Sequence, residues 1–306
     1  MRAFVSYVLR GRLQAISVAA ACAVLSLLLP PLGYVSGAVV GLATLRHGVQ
    51  EGALVVAGSG LLSGALVLLV TGSLYPVIII LALTWVPVWI LAAVLRATAN
   101  QGAALAAAGL LAAASVGVVH LLIADPAAWW KQLLERFIGD ALQQSPALGA
   151  AGSEQFIDII DRVAPLMTGL FFATTLVGSM LVLFLARWWH ALVDNPGGFG
   201  REFRSLALDR RMAPVALLVV LVAVVANRAT DGLAAEFLWI IIVMYLFQGL
   251  AVVHSIVASR GASVGWLVAL YLLLIVLPPQ MVLPLAITGF TDVWMDLRGR
   301  VRRRGG

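Results

Sequence analysis

Residues 52–70 read GALVVAGSGLLSGALVLLV, and residues 74–95 read LYPVIIILALTWVPVWILAAVL. Neither stretch carries a charged side chain, and each is close to the ~20 residues of α-helix needed to cross a hydrocarbon core about 30 Å thick. Runs of the same character recur at 13–29, 32–45, 103–124, 163–186, 212–226, 237–257 and 264–290. A backbone N–H or C=O left unpaired in lipid costs several kcal/mol, and these runs lack the two-residue alternation of a barrel strand, so the spans must be helices. The fold expected is an all-α polytopic membrane protein of about eight to ten transmembrane helices, one domain over 1–306. In the last run, Pro278 and Pro279 remove two backbone donors, so that run must kink or divide into two half-helices.

Composition agrees with the runs. Hydrophobic residues make up 62% of the chain and charged residues 11%, against about 25% charged in a typical soluble domain. A water-soluble fold of this make-up would have too few polar side chains to cover its surface. The net charge is +6 and the pI lies near 10.2, but the arginines flank the apolar runs instead of forming a polar domain. That placement points to membrane lipid head groups as partners and away from nucleic acid. The single cysteine, Cys22, provides neither a disulfide framework nor a thiolate metal site. The run at 13–29 ends in Pro30-Pro31 without a small-x-small cleavage site, and reads as an uncleaved first helix.

Alternating the spans from a cytoplasmic N-terminus puts Arg2, Arg10, Arg12, Arg46, Arg96, Arg187, Arg201, Arg204, Arg210, Arg211 and Arg260 inside. Only Lys131, Arg136, Arg162 and Arg228 fall outside. This bias places the N-terminus in the cytoplasm, and the arginines of the 291–306 tail place that tail inside as well. Residues 125–162 form the one extended polar stretch, expected as external amphipathic helices at the interface, the second over 154–162. Trp129-Trp130 and Trp188-Trp189 read as aromatic anchors at the two membrane surfaces. The 187–211 segment is an Arg-rich cytoplasmic loop.

No Asp, Glu, Lys or Arg falls well inside a run, which disfavours a carrier driven by a simple proton relay. There is no GxxxxGK[ST] phosphate loop and no HExxH pair, and the four histidines are scattered at span ends, so no catalytic residue, cofactor or metal ligand is assigned and an enzyme is not expected. Gly33, Gly37 and Gly41 recur every fourth residue, as do Gly60 and Gly64; such faces let helices pack closely, within the chain or against a partner. Polar and aromatic residues able to line a ligand site are Trp85, Trp89, Asn227, Tyr245, Gln248 and His254, with bonding between neighbouring helices as the alternative use. On the cytoplasmic side, Arg201, Arg204, Arg210, Arg211, Asp292, Asp296 and Arg298 form a candidate coupling or docking surface; the alternative is that these charges only set topology.

The segments Phe199-Gly-Arg-Glu-Phe203-Arg204, Tyr245-Leu-Phe-Gln248-Gly249-Leu-Ala-Val-Val-His254 and Gly289-Phe-Thr-Asp292-Val-Trp294-Met-Asp296-Leu-Arg298 resemble the YybS-like family of bacterial membrane proteins, as do Arg46-His-Gly48 and Leu95-Arg96. Ser205-Leu206 departs from the apolar residue and proline expected after Arg204. The resemblance implies a remote similarity to the substrate-binding S components of energy-coupling factor transporters: a compact bundle, here with additional helices, that binds a small molecule and relies on a separate ATPase or membrane partner. A non-transporting scaffold or regulator that docks a cytoplasmic partner is the rival reading.

Overall fold

Hydrocarbon leaves the backbone no partner but itself, and the described residues are accordingly 88% helical, with no strand among them. The computed structural model describes residues 1–144, 149–225 and 232–304. Helices α1 (Arg2–Val8), α2 (Arg12–Leu25), α3 (Pro31–His47) and α4 (Val49–Thr71) come first. Then α5 (Tyr75–Ile80) passes through a π turn, Leu81–Trp85, into α6 (Val86–Thr98). That turn directly precedes Pro87, which has no N–H to donate and whose ring crowds the carbonyl four residues back, so the helix widens there. Next are α7 (Gln101–Leu122), α8 (Pro126–Gln144), α9 (Gly149–Val163), α10 (Met167–Asp194), α11 (Gly198–Ser205) and α12 (Met212–Val225). The chain ends with α13 (Gly232–Ser259), α14 (Gly265–Val276), α15 (Pro278–Met295) and α16 (Leu297–Arg304).

The chain groups into two compact units. The first comprises Met1–Ala108, Thr175–Asp209 and Met244–Gly306, and the second Gly109–Thr174 and Arg210–Val243. In the first, α3 is central: residues 36 to 45 are all buried, and α2, α4 and α6 pack on it. The small-residue face makes this possible. A Cβ on Gly37 would lie 2.6 Å from Thr84, one on Gly41 2.9 Å from Ala186, and one on Gly52 2.1 Å from the Thr44 hydroxyl. These glycines therefore serve packing within the unit. Later in the chain the same device is more severe. A Cβ on Gly249 would stand 1.9 Å from the Leu285 carbonyl oxygen, and one on Gly289 2.2 Å from that of Tyr245, so α13 and α15 meet backbone to backbone.

In the second unit, Gly169 of α10 lets α13 approach until a Cβ would lie 2.4 Å from the Glu236 Cα. The Trp130 indole N–H donates to Thr168 at 2.9 Å, and Lys131 lies 2.5 Å from Asp161, tying α8 to the start of α10 and to α9. The hydrogen bond to Asp161 holds the Lys131 ammonium above its ordinary value, so this link is present below that raised value and is lost as pH rises through it. Both side chains are largely exposed and the pair contributes little.

Several expectations change. Fewer helices qualify as spans than the eight to ten expected: among the described residues, Val49–Thr71, Tyr75–Thr98, Gln101–Leu122, Phe156–Asp194 and Gly232–Ser259 are long and apolar enough, or 6 with α1 and α2, bent by 115°, taken as one. The shortfall has local causes, since α3 has 17 residues and α14 12. The last run does divide at Leu277 into α14 and α15. The segment at 154–162 lies within α9, which runs on through a 3-10 turn at Ala164–Leu166 into α10 because Pro165 is tolerated in a first turn. Nor do both members of each tryptophan pair face outward. Trp129 and Trp188 are exposed, but Trp130 is hydrogen-bonded inward and Trp189 is 2% exposed, because neighbouring residues on a helix point about 100° apart.

The α13–α15 seam yields a direct test. Replacing Gly289 with Val should lower the thermal midpoint of the detergent-solubilised protein strongly, by the equivalent of about 1–3 kcal/mol or more. Gly117→Ala, whose added Cβ meets nothing within 4 Å, should leave it unchanged or slightly raised.

Candidate functional site

Helix α10 stops at Asp194, and Pro196 with Gly197, at φ +81°, turns the chain into α11. Beyond Ser205 the backbone leaves helical geometry, and residues 206–209 must find other partners for their polar groups. Arg298 Nη1 donates to the carbonyls of Arg204 at 3.1 Å and Leu206 at 3.0 Å. Gln248, 1% exposed, accepts the Leu208 N–H at 3.0 Å and donates its amide to the Gly289 carbonyl at 2.9 Å. Gly102 admits the Ala207 carbonyl so closely that a Cβ would stand 1.8 Å from it.

The arginine that clamps this segment is itself anchored. Asp292 Oδ2 accepts from Arg298 Nη2 at 2.6 Å and Nε at 3.0 Å, with side chains only 4% and 11% exposed. Between the two residues, Asp296 adopts φ +43°, a left-handed conformation that Asp tolerates, ending α15; its Oδ1 then accepts the Gly299 N–H at 3.0 Å and caps α16. The result is an open recess of about 450 Å³ lined by Arg201, Arg204, Ser205, Ser255, Asp296 and Arg298.

A second network in the same unit links α3, α10 and α11. Arg187 binds Glu202 at 2.5 and 2.8 Å and donates to His190 Nδ1 at 3.1 Å. An arginine can only donate, so Nδ1 is unprotonated and Nε2–H is directed at Asp194, 3.0 Å away, which also pairs with Arg46. Arg96 donates to the carbonyls of Leu45 and Arg46, covering the end of α3. Arg46, Arg96, Arg187 and Arg298 are thus taken up by acids or by helix-end carbonyls.

The pattern of the predicted membrane protein family DUF2232 matches residues 17–293. The chain belongs to that family. No curated protein and no solved structure matches it.

In this DUF2232 protein, Arg201, Arg204, Asp296 and Arg298 share the recess, and Asp292 lies buried beneath it. Arg210 and Arg211 belong to the second unit. The proposed ligand set does not converge on one cavity. Trp85 is fully buried and donates to Ser36, which donates on to the Ala19 carbonyl; Trp89 donates to the Val49 carbonyl. Tyr245 meets Phe290 edge to face at 5.1 Å with its hydroxyl unbonded among the described residues, and Gln248 is taken up as above. His254 bonds to the Tyr271 hydroxyl at 2.9 Å and lies against the Phe203 ring. Asn227 lies outside the described residues.

Reading the sequence alone missed four residues. Ser255 lines the recess, but a serine at the end of an apolar run carries no signal. Gln101, 4% exposed, leaves both amide atoms unpartnered among the described residues. His120 and Glu236 pair at 3.0 Å inside two candidate spans, the carboxylate side chain being 4% exposed. A carboxylate is therefore buried within a span after all, because α13 begins at Gly232, a turn before the apolar run that marks it.

If the Asp292–Arg298 pair organises the recess, Asp292→Asn should cost about 3–5 kcal/mol, the penalty of leaving a buried charge unpaired. In double-mutant cycles read by thermal unfolding, Asp292 and Arg298 should couple by about 1–3 kcal/mol, whereas Asp292 and the Arg204 side chain, linked only indirectly by the bond of Arg298 to the Arg204 carbonyl, should be additive within about 0.5 kcal/mol.

Proposed function

We propose that this protein is a non-enzymatic, multi-pass component of the bacterial cytoplasmic membrane, with both termini in the cytoplasm, that works as a scaffold or regulator by docking a cytoplasmic partner at Arg201 and Arg204. The observation that carries this reading is the distribution of arginine contacts. Arg46, Arg96, Arg187 and Arg298 each bind an acid or a helix-end carbonyl, whereas neither Arg201 nor Arg204 has an acidic partner among the described residues. Two cations presented on a backbone already clamped by Arg298 and Gln248 form a surface prepared for an acidic group from outside, with little further ordering to be done. The Tyr245–Gln248 face, the other candidate, is committed to the α13–α15 seam.

A second reading is a substrate-binding component of a transporter energised by a separate protein, as the YybS-like resemblance to S components implies. The buried His120–Glu236 pair favours it, because an ionisable pair inside two candidate spans often marks a substrate pathway.

Both readings are tested by purifying tagged protein from native membranes for native mass spectrometry. Arg201→Glu with Arg204→Glu should lose a partner that the wild type retains, at unchanged thermal midpoint; equal retention by both proteins defeats the docking reading. A co-purifying ATPase together with a retained small molecule would instead favour the transporter component. Reporter fusions at the two ends should both report the cytoplasm.

A further inference from the structure

We propose that the recess lined by Arg201, Arg204, Ser255 and Arg298 is a binding site for a phosphate-bearing anion at the level of the bilayer head groups. This goes beyond the docking of a protein partner, although it rests on the same reading of Arg201 and Arg204 as the working cations.

The charge balance of the lining makes the case. Both acids near the recess are already engaged: Asp292 with Arg298 at 2.6 Å, and Asp296 with the Gly299 N–H at 3.0 Å and with Arg303 at 3.6 Å. Arg201 has only the neutral Asn195 side chain, at 3.2 Å. The Arg204 guanidinium lines the recess and has no acidic partner among the described residues. Two arginines are therefore uncompensated around one concave space, and the planar guanidinium is the side chain best matched to phosphate oxygens.

Hydroxyl chemistry fits the same ligand. The Ser205 hydroxyl proton is directed to the Glu202 carbonyl at 2.8 Å, but the Ser255 hydroxyl makes no hydrogen bond among the described residues and remains a donor toward the recess. A space of about 450 Å³ is within the ~300–1,000 Å³ range of small-molecule sites and is larger than a simple ion needs.

Location restricts the source. Ser255 lies one turn before the end of α13 at Ser259, and Trp294, 56% exposed, lies one turn before Arg298. Beside them α14 has no buried residue, and its Trp266 is 70% exposed, so the recess opens where apolar helix surface gives way to arginines. Exposed tryptophans at helix ends mark the head-group layer, which is where phosphodiesters are most concentrated.

The test uses the whole protein, delipidated in neutral detergent, as wild type, Arg204→Gln, Ser255→Ala and Asp296→Asn. Binding of phosphatidylglycerol against phosphatidylcholine is read by native mass spectrometry, and inorganic phosphate is titrated by thermal shift. The wild type should prefer phosphatidylglycerol, Arg204→Gln should weaken that binding about tenfold and Ser255→Ala by less, with apo thermal midpoints unchanged. Asp296→Asn, which can keep the left-handed turn, should tighten it. Stabilisation by inorganic phosphate, lost in Arg204→Gln, without a preference for phosphatidylglycerol assigns the site to a soluble phosphate-bearing ligand. Equal binding of both probes by wild type, Arg204→Gln and Ser255→Ala overturns the proposal. Loss of the protein partner in the charge-reversal experiment is scored separately, so either idea can fail while the other survives.

Discussion

A peptide carbonyl that leaves a helix and is buried within the protein has no water to turn to, and the structure around residues 204–208 is arranged to meet that need. Arg298 covers two such carbonyls and Gln248 satisfies an N–H of the same segment, while Asp292 removes the cost of burying the arginine. Arg96 performs the same service at the end of α3. Without these contacts the segment after α11 would have unsatisfied backbone groups in a buried position, and the two cations of the recess would have no fixed base.

Close helix approach is the second condition. Lipid tails are as apolar as leucine, so helices in a membrane gain little from hiding apolar surface and depend on packing distance and interhelical bonds. Gly249 and Gly289 bring α13 and α15 to backbone contact, which is what allows Gln248 to reach the Gly289 carbonyl on one side and Leu208 on the other. A bulkier seam would move Gln248 out of range of one of them.

The candidate site was partly legible in the chain. The Arg-Glu-Phe-Arg and Asp-Leu-Arg segments stood out as charged groups at run ends, and Arg201, Arg204, Asp296 and Arg298 do share a recess. Which charge pairs with which was not legible: Arg204 and Asp292 are obvious candidates for each other, yet the partner of Asp292 is Arg298, six residues away around the turn at Asp296. Trp85 and Gln248 illustrate the opposite case, since a polar group on an apolar run looks the same whether it awaits a ligand or binds a neighbouring helix. Glu236 was hidden by a boundary, because hydropathy marks where a run becomes apolar and α13 starts a turn earlier.

Sequence by itself determined the solvent, the helical class and the positions of breaks such as Pro278, because each follows from what a short stretch of chain can do in hydrocarbon. Only the tertiary structure decided which arginines are structural, that the glycine stripes are packing faces within the first unit, and that two cations remain around a serine. These depend on contacts between residues such as Arg204 and Arg298, 94 positions apart, and local composition carries no information about such distances.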